Sequence, residues 1–276
     1  MRYKQWIAIG CCWLLPVMNA SSQEPLNLGV CPFVPATAIE SGFGPLAQAL
    51  SQYLQRPVVV KTRKTFDSFY QALQNREFDL ALVQPFDYVQ LDKQTGYQPL
   101  VRKAGRLSAQ IITTDPGIQT LQDLRQQIIA FPSHRAAVSL LAIRDLQRAG
   151  MTTNDYLPRF MGEHSSCLLA MVNGQANACV TVADLREDNT LPKKTHSVYT
   201  TESIAHILFV VQPVAVKQVD ALQQWFLHLN ETDAGRVMLK QAYLDELVPA
   251  TSDDYDQTAH ILEEIQSANH PTKELQ

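Results

Sequence analysis

The stretch FDLALVQPFDY, residues 78–88, decides the fold class. Residues 79–83 form a short apolar run of the kind found in parallel strands that are buried on both faces. The segments before it alternate, with predicted strands at 26–30 and 57–60 and predicted helices at 44–55 and 66–73. This β-α-β-α-β order is typical of a parallel sheet covered by helices, so we predict an α/β fold.

The alternation begins again after residue 108. Predicted strands follow at 109–113, 128–131, 178–182 and 206–211, and predicted helices at 121–124, 136–149, 168–172, 219–229 and 234–244. We therefore predict two α/β lobes joined without a flexible linker. The first comprises residues 23–108 and 207–276, including the C-terminal helices, and the second comprises residues 109–206. Two such lobes enclose a cleft, where ligands of open α/β sheets bind.

The first 22 residues have the layout of a secretory signal peptide. Arg2 and Lys4 precede an apolar run at 6–17, and small residues at 18–22 suit signal peptidase. The run is shorter than the roughly 20 residues that a membrane span needs. Two alternatives stay open: a lipoprotein acylated at Cys11, or an N-terminal anchor or buried helix. Export predicts a mature protein in the periplasm.

The composition excludes several classes of protein. With 46% hydrophobic and 18% charged residues among 276, the chain is typical of a globular protein rather than a disordered one. The formal net charge is −4, and loss of the first 22 residues changes it to about −6, which argues against a nucleic-acid partner. Enzyme signatures such as G-x-S-x-G, H-E-x-x-H and the glycine-rich phosphate loop are absent from the sequence, so we expect neither catalysis nor a cofactor.

One strand-to-helix junction carries Ser133, His134 and Arg135. The free N–H groups and the dipole of the following helix favour an anion at this point. Ser133 is a suitable cap and Arg135 a suitable charged donor. The alternative is an ordinary capped helix with an exposed His and Arg.

A second junction contains Glu163, His164 and Ser165, at the start of the next helix. Ser165 is a candidate cap, and His164 is a candidate donor to an oxyanion in the cleft. Glu163 argues against a bare anion site unless it faces away. The alternative is a capping segment with an exposed histidine.

A third junction, at the end of the strand 79–83, carries Gln84, Phe86 and Tyr88. These side chains are candidates for the cleft wall, although aromatic residues at strand ends more often serve in packing.

Three cysteines remain in the predicted mature chain. Cys31 and Cys167 follow or adjoin predicted cleft segments, whereas Cys179 lies in an apolar strand and is predicted to be a core residue. Cys31 and Cys167 are free thiols, a soft-ligand site with His164, or a disulfide. The favoured interpretation is a single buried thiol at each position.

The order of these motifs resembles that of the phosphate/phosphite/phosphonate-binding (PhnD-like) family of periplasmic proteins of ABC transporters. Residues 78–88 resemble the family segment D-h-A-x-x-x-P-x-x-Y, and residues 118–124 (IQTLQDL) resemble I-x-S-L-x-D-L. Residues 162–174 resemble G-S-H followed by A-V-x-x-G. The resemblance extends over residues 26–212, and it implies the type 2 periplasmic binding fold, with two lobes, a hinge and a cleft between them.

The resemblance implies capture of a small oxyanion and docking of the closed form on a membrane permease. Of the candidate ligand-binding residues, His164 corresponds best to the family pattern. Tyr88 or Phe86, and Thr181 or Asp184 in the return loop, also correspond to it.

The chain departs from the family in the anion loop, where residues 133–137 read SHRAA in place of an S-T-S-G sequence. Asn177 replaces an aspartate, and Ala205-His206 replaces a proline. A phosphonate is therefore one candidate among several oxyanions. The alternative hypothesis is a sensory protein that presents an oxyanion, such as thiophilic arsenite, to a membrane histidine kinase.

Overall fold

The computed structural model describes residues 24–91, 93–183, 194–216 and 218–269. The predicted signal peptide and the candidate ligand-binding residue Asp184 lie outside these residues. The strands are β1 (Leu26–Val30), β2 (Val58–Lys61), β3 (Leu80–Val83), β4 (Gln98–Lys103), β5 (Arg106–Leu107), β6 (Ala109–Thr113), β7 (Ile128–Phe131), β8 (Leu157–Phe160), β9 (Ala178–Val182), β10 (His196–Thr200), β11 (Ile204–Ala205), β12 (Leu208–Val211) and β13 (Leu247–Pro249). The helices are α1 (Ala36–Leu54), α2 (Phe66–Gln74), α3 (Pro85–Gln90), α4 (Ala137–Arg148), α5 (His164–Val172), α6 (Val219–His228), α7 (Asp233–Gln241) and α8 (Asp256–Asn269).

Two separate sheets carry the fold. The first has the strand order β13-β4-β12-β3-β1-β2, in which β1 pairs in parallel with both β2 and β3. The second has the order β10-β6-β9-β7-β8, in which β7 pairs in parallel with both β8 and β9. The predicted α/β class is thus confirmed, with a parallel β-α-β unit in each half of the chain.

A short antiparallel ribbon connects the two sheets. The chain leaves the first sheet after β4, passes through β5 and enters the second sheet at β6. It returns through β11 before β12, and β11 pairs with β5 through Ile204–Leu107 and Ala205–Arg106. Two neighbouring crossings of this kind permit one sheet to rotate relative to the other about a few residues.

The sequence of β3 is apolar throughout because both faces of the strand are buried. Leu80 and Leu82 face the core shared with α1, whereas Ala81 and Val83 face the core shared with α2. All four side chains are fully buried. The prediction of a strand buried on both faces is confirmed.

Gly29 of β1 is required by the packing of the sheet. A Cβ at this position would lie 2.5 Å from Cγ of Phe78, closer than real Cβ atoms approach other heavy atoms. The absence of a side chain lets the Phe78 ring lie directly against β1, and Phe69 stacks on the Phe78 ring with ring centroids 5.1 Å apart.

The C-terminal helix α8 packs against α4, and its Ile261 and Ile265 lie in the core of the second sheet. Phe86 of α3 lies fully buried in the same core, although α3 directly follows β3 of the first sheet. The predicted division assigns residues 207–276 to the first lobe; within these residues, α8 packs both on α3, which follows the first sheet, and on α4 of the second.

Several elements differ from their predicted bounds. The helix α1 begins at Ala36, eight residues earlier than predicted, and Pro45 lies inside it. Ile39 and Phe43 are buried, so the buried face of the helix extends to the N-terminal side of that proline. The helix α5 begins at His164 rather than 168. The partly polar strands β4, β8 and β10 were not predicted, because they lack a clear apolar period.

Candidate functional site

A cavity of about 530 Å³ lies between the two sheets. Its first wall follows β1 and β2 and consists of Pro32, Val34, Ala36 and residues 62–67. Its second wall follows β7 and β8 and consists of Ser133, His134, Ser166 and residues 160–163. These four strands run parallel within their sheets, so the cavity occupies the carboxyl ends of both, where α/β folds bind ligands.

Three helices begin at this cavity. The helix α2 is capped by its own Thr65, whose hydroxyl accepts a hydrogen bond from Ser68 N at 3.1 Å. The helix α1 begins after Pro35 and α5 begins after Glu163, and in neither does the N-cap side chain bond to the helix. The first N–H groups of a helix have no partner within it, so α1 and α5 present free donors to a ligand.

Three ionisable side chains of the cavity lining are already paired. Arg63 forms an ion pair with Glu77 and lies over the Phe78 ring at 5.2 Å. His134 Nε2 of the second wall lies 3.2 Å from Asp67 Oδ1 of the first wall, so these two side chains bridge the walls.

Lys64 and Glu163 are the charged lining residues whose side chains have no hydrogen bond or ion pair with any other described residue. They lie on opposite walls. Sequence analysis did not single out Lys64, although it follows a strand and precedes a helix as the three chosen junctions do. Glu163 lines the cavity, so this residue does not face away from the cleft.

Arg135 does not line the cavity, because Asp87 of α3 holds its guanidinium. Its Nε and Nη2 donate to the same Asp87 oxygen at 3.1 and 2.6 Å, and its guanidinium lies 4.0 Å above the Tyr70 ring. Burial raises the pKa of Asp87 to about 6, and the positive charge of Arg135 partly opposes that rise.

The N-terminus of α4 is also occupied by a side chain of the protein, that of Gln84. Gln84 is buried, and its Oε1 accepts a hydrogen bond from Ala137 N at 2.9 Å. Ser133 accepts from Arg135 N at 3.3 Å. The junction predicted to hold an anion is therefore filled by side chains of the chain itself, and Ser133 and His134 are its members that reach the cavity.

The two aromatic candidates for the cleft wall pack elsewhere. Phe86 is fully buried in the core of the second sheet, and Tyr88 packs against Tyr255 with ring centroids 5.0 Å apart. Both belong to α3 and neither lines the cavity.

His164 and Thr181 carry buried polar atoms that have no hydrogen-bond partner, Nδ1 and Oγ1 respectively. Burial lowers the pKa of His164 to about 4, so its imidazole is neutral near pH 7. Neither residue lines the cavity, and Ser165 is exposed on the outside of α5. The neighbouring Ser166 is the serine of this junction that lines the cavity.

The cysteines differ from the favoured interpretation. Cys167 of α5 and Cys179 of β9 form a disulfide, with Cα atoms 5.7 Å apart, so the prediction of a free thiol at Cys167 was wrong, whereas Cys179 is a core residue as predicted. The reason is that α5 packs on β9, a contact that is invisible in the sequence. Cys31 is a buried free thiol, as predicted, and burial raises its pKa. Because Cys31 lies in a core of the first sheet and Cys167 in one of the second, they do not form a joint soft-ligand site.

In the part of the chain that the structure describes, none of the helices is both long and apolar enough to cross a membrane. The same residues contain no group of three His, Cys, Asp or Glu side chains arranged to hold a metal ion.

Comparison with known proteins gives a family and a fold. The family model described as "ABC transporter, phosphonate, periplasmic substrate-binding protein" matches residues 28–255. PhnD1 from Prochlorococcus marinus (MIT 9301), solved in complex with methylphosphonate, is similar with a TM-score of 0.78 at 15% identity, over 88% of this chain and 98% of that chain. A binding protein component of an ABC phosphonate transporter from Pseudomonas aeruginosa has a TM-score of 0.79 at 13% identity, over 91% and 90%.

The periplasmic aliphatic sulphonate binding protein SsuA from Escherichia coli is also similar, with a TM-score of 0.63 at 16% identity, over 91% of this chain and 95% of that one. No curated protein gives a significant match. Likeness at such low identity concerns the fold alone, and it confirms the predicted type 2 periplasmic binding fold.

Proposed function

Because the chain belongs to the family of periplasmic substrate-binding proteins of phosphonate ABC transporters, we propose that it captures a small oxyanion of the phosphonate type between its lobes. The cavity of about 530 Å³ at the carboxyl ends of both sheets carries this proposal. Its size falls within the range of roughly 300–1,000 Å³ that is common for small-molecule sites. The work of the protein is binding and closure, without covalent chemistry.

The anion is held by the free donors of the cavity. Lys64 supplies a positive charge without a partner among the described residues, and the N-termini of α1 and α5 supply N–H groups that their N-cap side chains leave free. Ser133, His134 and Ser166 complete the second wall. Helix N-termini and charged side chains together suit an oxyanion, even in a protein of negative net charge.

Arg135 and Gln84 have a positioning role in this proposal. Through Asp87 and Ala137 N they attach the loop after β7 to the helix after β3, and so place Ser133 and His134 at the cavity. Closure brings the two walls together by rotation at the β5–β11 ribbon. The closed form then docks on a membrane permease, and residues 1–22 direct export to the periplasm.

Isothermal titration with methylphosphonate, phosphite, phosphate and ethanesulfonate tests the proposal. At least one of these compounds is expected to bind, and Lys64→Ala to weaken its affinity about tenfold or more, the effect of one charge-assisted contact. The matched control is Lys61→Ala, which removes an exposed lysine of β2 that does not line the cavity. Absence of binding, or an equal loss in both variants, would contradict the proposed site.

Presentation of a thiophilic oxyanion to a histidine kinase is not proposed, because its structural basis is absent. Cys167 is bonded to Cys179, and Cys31 is fully buried.

A further inference from the structure

The disulfide between Cys167 and Cys179 lies directly beside the cavity. Cys167 follows Ser166, which lines the cavity, and the disulfide joins α5 to β9. The sulfur of Cys167 lies 3.2 Å from the carbonyl oxygen of Ala130 in β7 and 3.4 Å from that of Val180 in β9. The first turn of α5 is therefore attached covalently to the central strands of the second sheet, next to the proposed ligand.

The helix α5 has little else to fix its position. It has nine residues, with no acidic side chain in its first turn, no basic side chain in its last and no side-chain cap. A helix this short is stable only through its tertiary contacts. Its buried residues are Cys167, Ala170 and Met171, whereas Leu169 and Val172 are exposed by 59% and 47%. The apolar surface that holds α5 on the sheet is thus small, and the disulfide adds a covalent constraint to it.

The helix α2, on the opposite wall of the cavity, has the same length and is held differently. Its N-cap Thr65 forms a capping box with Ser68, and its buried residues include Phe66, Phe69 and Leu73. A cap and a large apolar face therefore place α2, and α5 has neither.

We propose that the Cys167–Cys179 disulfide is a positioning element for ligand binding: it holds Ser166 and the first turn of α5 at the cavity, and the affinity for the oxyanion depends on it. This inference rests on the proposed function. Without the bond, α5 stays in the fold but its first turn samples several positions. Binding must then order that turn, and the cost of ordering lowers the affinity.

The first test compares the wild type with the double variant Cys167→Ala/Cys179→Ala by isothermal titration. The probe is the compound that the wild type binds most tightly among methylphosphonate, phosphite, phosphate and ethanesulfonate. The double variant is expected to bind it about tenfold more weakly, which corresponds to ordering the backbone of about one residue. Its circular dichroism spectrum is expected to match that of the wild type.

The substitution Ser166→Ala separates positioning from a general weakening of the fold. In the wild type it removes one hydrogen bond to the ligand and is expected to weaken binding about threefold to tenfold. In the double variant, where Ser166 is no longer held at the cavity, it is expected to weaken binding less than about twofold. Lys64→Ala, on the opposite wall, is expected to have the same effect in both backgrounds. Equal effects of Ser166→Ala in both backgrounds would contradict the positioning role.

Reduction of the wild type tests the bond while both sulfur atoms remain. Dithiothreitol supplies two electrons and two protons, so the disulfide becomes two thiols and dithiothreitol becomes a cyclic disulfide. Because Cys167 and Cys179 are fully buried, the protein is reduced in urea and refolded with dithiothreitol present. The reduced wild type is expected to lose affinity as the double variant does. The same treatment of the double variant is the control, and it is expected to leave that affinity unchanged.

Hydrogen exchange shows whether the bond acts through α5. In the reduced wild type, the amides of α5 are expected to exchange faster than in the oxidised protein, whereas those of α2 are expected to exchange at the same rate. If the affinity falls while α5 exchanges as slowly as before, the disulfide does not act through α5 and the inference is refuted.

The fate of the proposed function is decided separately. If the wild type binds at least one of the four compounds, and the reduced protein and the double variant bind it equally well, the positioning role is refuted while the proposed function stands. If the wild type binds none of the four, the proposed function fails and this inference fails with it.

Discussion

Arg135 donates two hydrogen bonds to one carboxylate oxygen of Asp87, at 3.1 and 2.6 Å, and joins the loop after β7 to the helix after β3. The Asp87 carboxylate is fully buried and its second oxygen has no partner. The two partners therefore differ in how much they rely on the ion pair. The buried Asp87 carboxylate has its charge offset by Arg135, whereas Arg135 also stacks on Tyr70 and is partly exposed to solvent.

Arg135→Ala is expected to destabilise the protein by about 2–4 kcal/mol, because it leaves a buried carboxylate without its counter-ion. Asp87→Asn in the same background is expected to restore part of that loss, since it removes the uncompensated charge. Urea denaturation measures both. The control is Arg236→Ala, whose ion pair with Asp233 is exposed and is worth at most about 1 kcal/mol. Equal effects of Arg135→Ala and Arg236→Ala would show that the buried pair contributes little.

Stability is expected to fall as the pH drops below about 6.5. Burial lowers the pKa of His164 to about 4 and that of His206 to about 3, so both are neutral in the folded protein. In the unfolded chain they take up protons near pH 6.5. Their stabilising contribution is therefore complete above pH 6.5 and is lost as the pH falls towards 4, by up to about 1.4 kcal/mol per pH unit for each histidine.

The raised pKa of Asp87 acts in the opposite sense. Its folded form binds a proton below about pH 6, whereas the unfolded form does so only near pH 4. Its contribution thus favours the folded state at low pH and declines as the pH rises through 6.

The contribution of one histidine to this pH dependence is measured with the His206→Asn variant. Urea unfolding at pH 7.5, 6.0 and 5.0 is expected to show a shallower slope for this variant than for the wild type. His260→Asn, which changes an exposed histidine of α8, is expected to leave the slope unaltered. An unchanged slope in His206→Asn would contradict the prediction.

Thiol titration is expected to distinguish the disulfide from free cysteines. A protein that lacks residues 1–22 is expected to show no reactive thiol when folded, because Cys31 is fully buried, and one thiol after unfolding without reductant. Three thiols after unfolding would mean that Cys167 and Cys179 are not bonded. Reduction is expected to lower the free energy of unfolding by about 2–3 kcal/mol, as estimated for closing a loop of roughly this length.

Gly29→Ala is expected to destabilise the protein by about 1–3 kcal/mol, as in other overpacked cores, because the new methyl group meets the Phe78 ring. Phe78→Leu reduces that ring to a smaller side chain. In a double-mutant cycle measured by urea denaturation, the two changes together are expected to cost less than the sum of their separate costs. Simple additivity would indicate that the cost of Gly29→Ala does not come from its contact with the Phe78 ring.

Local signals in the sequence determined the α/β class and most of its apolar elements. The predicted strands at 26–30, 109–113, 128–131 and 178–182 coincide with β1, β6, β7 and β9. They were recognisable because burial of one or both faces leaves a short-range period in the chain. The mixed strands β4, β8 and β10 leave no such period, because their residues are partly exposed.

Only the tertiary structure decided which polar residues face the cavity. The sequence placed Ser133, His134 and Arg135 together at a helix N-terminus, which is a local property. Arg135 is withdrawn from the cavity by Asp87, and Ala137 N is occupied by Gln84; these partners are 48 and 53 residues away in the chain. Pairing through space leaves no trace in the period of the sequence. Lys64 and Glu163, whose side chains have no partner among the described residues, are therefore recognisable only when the two sheets are brought together.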